Sequence, residues 1–160
     1  VSGPNGRVSL PLFPFISLYR TSLAGGGDTI QVGVKDAGER HQRAMWGTTR
    51  ALLANAVTGV TEGYNVPVRF VGVGYRATLE EDGKRVSLRL GYSGPLTEVV
   101  PPGVTVRSVN PTRLIISGAN LQQVKEFAGR IRRYRPPEPY NQKGVFVGDE
   151  TIKKKEGKKK

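Results

Sequence analysis

The stretch VPVRFVGVGYRATLEEDGKRVSLRL, residues 66–90, carries the clearest structural signal in the chain. Val66, Val68, Phe70, Val71, Val73, Tyr75, Ala77 and Leu79 read as one extended strand leading to Glu80-Glu81-Asp82-Gly83, after which Val86, Leu88 and Leu90 return in strict alternation. Alternation with period two sends successive side chains to opposite faces, and an Asp-Gly step suits the tight turn of a hairpin. A hairpin is predicted here. Inside it, Gly72-Val73-Gly74-Tyr75-Arg76-Ala77 fits the G-x-G-x-x-G/A spacing of dinucleotide-binding turns. That fingerprint needs a helix opening at the second glycine, whereas Tyr75 to Leu79 continue the strand pattern. Gly72 and Gly74 are therefore read as glycines against which another backbone or a helix packs closely, with no nucleotide.

On either side of the hairpin the apolar period changes to that of helices. From about Glu39 to Thr61, Met45, Leu52, Leu53, Ala56 and Val60 recur at three- and four-residue steps, with Asp36 as the expected N-cap and Gly63 as the stop. Their stripe is expected to face a core. From about Leu121 to Tyr134, Leu121, Val124, Phe127, Ala128 and Ile131 share one side, with Asn120 as cap and Gln123 at the capping-box position. The step Arg135-Pro136 ends this helix, because the residue before proline is pushed out of the helical region. Further strands are predicted at Val8 to Leu12, Thr29 to Val34, Val104 to Val109 and Leu114 to Ser117, the last two joined by Asn110-Pro111. Strands grouped ahead of a single covering helix indicate an α+β layer. The order occurs twice: Ser2-Gly3-Pro4 and Ser93-Gly94-Pro95 each precede strands and then a helix. A duplicated unit is expected, with residues 1–63 as a first α+β domain lacking its opening strands, 64–135 as the second, and 136–160 as an extended basic tail.

The chain has 160 residues, with 25 Lys and Arg against 13 Asp and Glu, a formal net charge of +12. Such an excess calls for a polyanionic partner, and nucleic acid is the commonest. The absence of cysteine excludes disulfide frameworks, thiolate catalysis and Cys-ligated zinc. No apolar run approaches the roughly 18 to 20 residues that a membrane span requires. The chain opens on Val1 instead of Met, and Val1 to Arg7 lack the cationic-then-apolar form of a secretory signal; removal of an upstream piece is expected.

Catalytic constellations are not assembled. His41 stands in a polar helical turn without a second histidine, and Gly25-Gly26-Gly27 lacks the Gly-Lys-Ser/Thr ending of a phosphate loop. Glu80, Glu81 and Asp82 sit on an exposed turn beside Lys84 and Arg85, which is no setting for general acid work. No enzyme, metal or cofactor is expected.

The charge concentrates at the carboxyl end, where residues 130–160 hold eleven Lys and Arg and four acids. Arg130, Arg132, Arg133 and Arg135 crowd the end of the second helix, and Pro136-Pro137-Glu138-Pro139-Tyr140 then imposes an extended path. Lys143-Gly144 follows, and Lys153-Lys154-Lys155-Glu156-Gly157-Lys158-Lys159-Lys160 has no apolar residue to drive folding. Arginines bind phosphates bidentately, a tyrosine stacks on an unpaired base, and a glycine lets the backbone approach a phosphate.

Four motifs, in order and over nearly the whole chain, make the sequence recognisable: Trp46-Gly47-Thr48-Thr49-Arg50-Ala51, Gly59-Val60-Thr61-Glu62-Gly63, Val71-Gly72-Val73-Gly74-Tyr75-Arg76-Ala77 and Arg135-Pro136-Pro137-Glu138-Pro139-Tyr140. Together they resemble the bacterial-type large-subunit ribosomal protein L6 family. Gln42 to Gly47 and Gly144 to Ile152 look most like its fungal mitochondrial members. The resemblance implies two similar α+β domains, each an antiparallel β-sheet covered on one face by one α-helix, with a basic C-terminal extension. It also implies a structural role in the large ribosomal subunit, in the mitochondrial matrix. There such a protein binds rRNA near the sarcin-ricin loop and the stalk base, among neighbouring ribosomal proteins and close to docking translation factors. The family tail reads Pro-Glu-Pro-Tyr-Lys-Gly-Lys-Gly, and here Asn141-Gln142 replace the first Lys-Gly. The expected rRNA-binding residues are Arg132, Arg133, Arg135, Tyr140, Lys143, Gly144, Lys153, Lys154 and Lys155. The competing reading is a basic membrane-surface or polyanion-binding module without catalysis; the tail offers neither the bulky apolar residues nor the lipidation site that such a module normally adds.

Overall fold

The computed structural model describes residues 1–159; Lys160, the end of the lysine run, lies outside them. In chain order the elements are β1 (Ser2–Gly3), β2 (Gly6–Arg7), β3 (Ile16–Ser22), β4 (Asp28–Val34), α1 (Arg40–Thr61), β5 (Tyr64–Val71), β6 (Arg76–Glu80), β7 (Arg85–Arg89), β8 (Leu96–Val99), β9 (Val104–Asn110), β10 (Arg113–Gly118), α2 (Leu121–Tyr134) and β11 (Gly144–Val147). All strand pairings are antiparallel: β1 with β2, β3 with β4, a four-stranded sheet in the order β11-β5-β10-β9, and a three-stranded sheet β6-β7-β8. The α+β reading with two helices on antiparallel sheets is what the structure shows.

The principal core lies in the second unit. Val124, Phe127, Ala128 and Ile131 of α2 pack on Val68, Phe70, Leu114, Ile116 and Val145 of the four-stranded sheet, and Ala77, Val86 and Leu88 of the three-stranded sheet join the same cluster with Leu90 just beyond β7. Each of the large side chains contributes about 1.5–3 kcal/mol by leaving water. Asn120 caps α2 by accepting from the Gln122 N–H, one residue short of the position that Gln123 would use in a capping box.

The first unit is thinner. Its buried cluster consists of Val8, Ala56 and Val60, with Leu10 and with Ala119 from the start of α2. The stripe on α1 is thus buried only toward its C-terminus, and Leu52 remains 39% exposed. Asp36 does not cap α1 either. Its carboxylate takes the Gly38 N–H in a local turn, the helix starts after Glu39, and Gln42 closes the turn by accepting from the Asp36 N–H. The stop at Gly63 matches expectation: this residue is left-handed and its N–H returns to the Thr58 carbonyl at 3.2 Å. Asn5 adds a second lid, donating to the carbonyls of Val60 and Thr61.

Two strand expectations need correction. Residues 8–12 form no strand; the pairing ends with the backbone bonds that Val8 exchanges with Val1, and Pro11 removes a donor that a ladder would need. Residues 66–79 are not one strand. The chain leaves β5 at Val71, turns at Gly72–Tyr75, and enters a different sheet as β6. The hairpin β6–β7 itself is as predicted, closed by the short 3-10 turn Glu81–Gly83 with Glu80 opposite Arg85. The packing role expected for Gly74 is also wrong: nothing lies within 4 Å of a Cβ placed there, and the residue is required for its left-handed φ of 73°. Gly72 differs, since its Cβ would sit 2.6 Å from the Tyr75 ring. Gly74→Ala is therefore expected to cost only about 1–2 kcal/mol, from backbone conformation alone, and Gly72→Ala more. Denaturant titration of both variants checks the order, and a larger loss at Gly74 would contradict it.

The boundary expected at residue 136 is crossed by the four-stranded sheet. β11 pairs with β5 in the register Val145 opposite Phe70, and Val145 and Phe146 are buried. An extended tail over residues 136–160 is contradicted there, because Val145 and Phe146 can bury apolar surface that the lysine run cannot.

Candidate nucleic-acid interface

The last turn of α2 does not present four free guanidinium groups. Arg132 grips the Glu150 carboxylate with Nε and Nη2 at 2.6–3.1 Å. Arg135 donates to the Leu90 carbonyl at 3.1 Å and lies over the Tyr92 ring at 4.4 Å, with Tyr75 at 6.0 Å. Arg130 lies over Phe127 and 3.8 Å from Glu98. Only Arg133 remains exposed and without an ion pair among the described residues. Arg132 and Arg135, both expected at the rRNA, are half-buried and engaged by partners within the protein, where they tie the arm to the sheet.

The segment after the helix is a closed loop. The Glu138 N–H donates to the Lys143 carbonyl at 2.8 Å and the Gln142 N–H to the Glu138 carbonyl at 2.9 Å, which leaves Tyr140 projecting at the tip, 51% exposed. Gln142 has a left-handed φ of 55°. It keeps this left-handed turn position at a conformational cost of about 1–2 kcal/mol. Gly144 is buried, and a Cβ there would come within 2.7 Å of Pro137 Cα. The close approach that this glycine permits is to its own chain, where a phosphate had been expected.

Beyond β11 the chain is tied down both ahead of the lysine run and within it. The Gly148 N–H donates to the Pro67 carbonyl at 2.7 Å, Arg69 donates to the Glu150 carbonyl at 3.2 Å, and the Lys155 N–H reaches the Pro139 carbonyl at 2.9 Å. Lys153, Lys154 and Lys155 are exposed and lie along the loop that carries Tyr140 and Lys143. Five of the nine expected residues are so brought to one place, with Arg133 exposed on the neighbouring helix. Sequence reasoning missed Glu150 and Arg69, whose roles depend on partners 18 and 81 residues away.

The bond to Arg132 holds the Glu150 carboxyl below the ordinary range, helped by the Val147 N–H and opposed by burial; the same bond raises Arg132. A folded-state value below the unfolded one means that the stabilisation is complete above the ordinary glutamate range and disappears as pH falls through the lowered value. Glu150→Gln is expected to lower the thermal midpoint at neutral pH, by the equivalent of about 1 kcal/mol or less for a half-exposed pair. The two proteins should converge on acidification. A gap that persists at low pH would assign the loss to something other than this ion pair.

His41 lies edge-on to Phe13 and Phe15 at 5.8 and 5.7 Å and supports that aromatic pair. Among the described residues no group of three potential metal ligands assembles, and no helix is long and apolar enough to cross a membrane.

Comparison with known proteins agrees with the motifs. The family described as ribosomal protein L6 matches residues 71–148. The large ribosomal subunit protein uL6 of Nitrosococcus oceani is 41% identical, covering 100% of this chain and 85% of its own length. That of Xanthomonas axonopodis pv. citri is 43% identical, covering 99% and 85%. The mitochondrial counterpart of Neurospora crassa, uL6m, is 41% identical over 99% of this chain and 64% of its own length. The bacterial and mitochondrial relatives are thus similar to the same degree, and on identity and coverage together the chain belongs to the uL6 family of large ribosomal subunit proteins.

Proposed function

We propose that this protein binds large-subunit rRNA through the loop Glu138–Lys143 and the basic segment beside it, near the sarcin-ricin loop and the stalk base. It would there support subunit assembly, contact neighbouring ribosomal proteins and lie close to docking translation factors. The observation that carries this reading is the bond from the Lys155 N–H to the Pro139 carbonyl at 2.9 Å, which lays a run of lysines along an exposed tyrosine. Charges held in one surface neutralise phosphates where RNA segments converge, and Tyr140 offers a face for an unpaired base. Arg132, Arg135 and Gly144 serve this surface from within, by fixing its position. The role is positioning and not catalysis.

Footprinting of large-subunit rRNA with the full chain tests the reading. Protection is expected near the sarcin-ricin loop and should survive moderate salt; protection elsewhere only, or none, would refute it. The compartment we propose, the mitochondrial matrix, rests on the resemblance of residues 42–47 and 144–152 to mitochondrial members. It predicts co-fractionation with mitochondrial large subunits.

A further inference from the structure

Arg76 and Arg89 stand directly opposite each other across the β6–β7 ladder. Their neighbours Ala77 and Leu88 are buried, so both arginines point outward and both are exposed. Like charges in directly opposed positions repel. Among the described residues neither forms an ion pair. The carboxylates of this ribbon gather at its other end: Glu80 is opposite Arg85, Glu81 is 3.4 Å from Arg85, and Asp82 follows in the turn. Glu98 of β8 is occupied by the Tyr134 hydroxyl and Arg130. One end of the hairpin therefore gathers carboxylates around Arg85, and the other carries two exposed cations without a carboxylate partner among the described residues.

Next to this pair is a cleft of about 220 Å³ between the Val73-Gly74 turn and the loop 91–95, with Arg89 in its wall. Two of its glycines, Gly74 and Gly94, leave backbone open to close approach, with nothing within 4 Å of a Cβ placed at either. Tyr92 lines it too, 49% exposed, and the ring is held: its hydroxyl donates to the Tyr134 carbonyl at 2.5 Å and the Arg135 guanidinium packs on it at 4.4 Å. Val73, 90% exposed, projects beside it. A fixed aromatic face beside paired cations and open backbone fits the chemistry of a single-stranded nucleic-acid contact.

We propose that this cleft takes one unpaired nucleotide of RNA, its phosphate between Arg76 and Arg89 and its base against Tyr92. It is separate from the loop Glu138–Lys143 and rests on the reading that the protein binds RNA.

The test uses the full chain with a ten-nucleotide oligoadenylate carrying one 5-iodouridine, the double variant Arg76→Gln/Arg89→Gln, and an arm variant in which Lys153, Lys154 and Lys155 are glutamine. The double variant should bind about tenfold more weakly at low salt, with a salt slope shallower by about 0.7–1.4 for one or two phosphates on a single strand. Its thermal midpoint should be unchanged or slightly raised, because a repulsion has been removed, and photocrosslinking to Tyr92 should disappear. The arm variant should keep that crosslink. An unchanged slope, a lowered midpoint, or a crosslink that never maps to the 72–75 or 91–95 loops would overturn the proposal. So would displacement of the strand from the cleft by millimolar inorganic phosphate, which would make it a free-anion site. If the arm variant alone weakens binding, the cleft fails and the arm stands; if only the double variant does, the reverse holds.

Discussion

Replacing Arg133, Lys143, Lys153, Lys154 and Lys155 together with glutamine is expected to lower affinity for a large-subunit rRNA fragment about a thousandfold near 0.15 M salt. The magnitude follows from counterion release: about 0.7–0.9 in log-log slope per neutralised phosphate makes five contacts worth a slope of about 3.5–4.5. All five side chains are exposed and without an ion pair among the described residues, so the thermal midpoint should barely change. Arg132 and Arg135 provide the contrast. Removing either strips Glu150 or the Tyr92 ring of its partner, so the expected signature is reduced stability with a nearly unchanged salt slope. Salt titration of binding beside thermal melting separates the two classes. If the five-residue variant keeps the parental slope, the basic segment is a solvated tail and the proposed interface is wrong.

Gly59→Ala is expected to be among the most damaging single substitutions, costing about 2–4 kcal/mol by overpacking. A Cβ at this position would fall 1.8 Å from the Ala119 carbonyl oxygen, 2.9 Å from its carbon and 3.1 Å from the Tyr64 ring. Ala119 cannot give way easily, because it links β10 to the Asn120 cap of α2. The helix α1 would have to lift from the second unit and take Ala56 and Val60 out of their small cluster with Ala119. Gly47 and Gly129 are internal controls, since nothing lies within 4 Å of a Cβ at either. Alanine there should be neutral or stabilising by up to about 1 kcal/mol through helix propensity. Denaturant unfolding of the three variants is the measurement, and equal stability of Gly59→Ala and Gly47→Ala would refute the close approach as a determinant.

Both expectations, and the cleft beside Arg76 and Arg89, concern residues that sequence reasoning weighed differently. In sequence Gly59 is one letter of a family motif, and Arg132 reads as a phosphate ligand. The turn at Gly72–Tyr75 reads in sequence as the middle of a strand. For Gly59 and Arg132 the deciding fact is an atom far away along the chain, Ala119 and Glu150; for Gly72 it is the change of sheet between β5 and β6.

The sequence by itself determined what local periodicity and local chemistry can specify. Leu121–Tyr134 is a helix because its apolar residues recur at helical steps between an asparagine cap and a proline stop, and β6 returns as β7 because Asp82-Gly83 accept left-handed backbone. The net charge and its concentration after residue 130 already called for a polyanionic partner. Only the tertiary structure decided which charges remain free for that partner. Ion pairs and stacking depend on separation in space, and Arg132 and Arg133, adjacent in sequence and identical in chemistry, point to opposite fates because a helix turns about 100° per residue. One meets Glu150 and the other meets solvent.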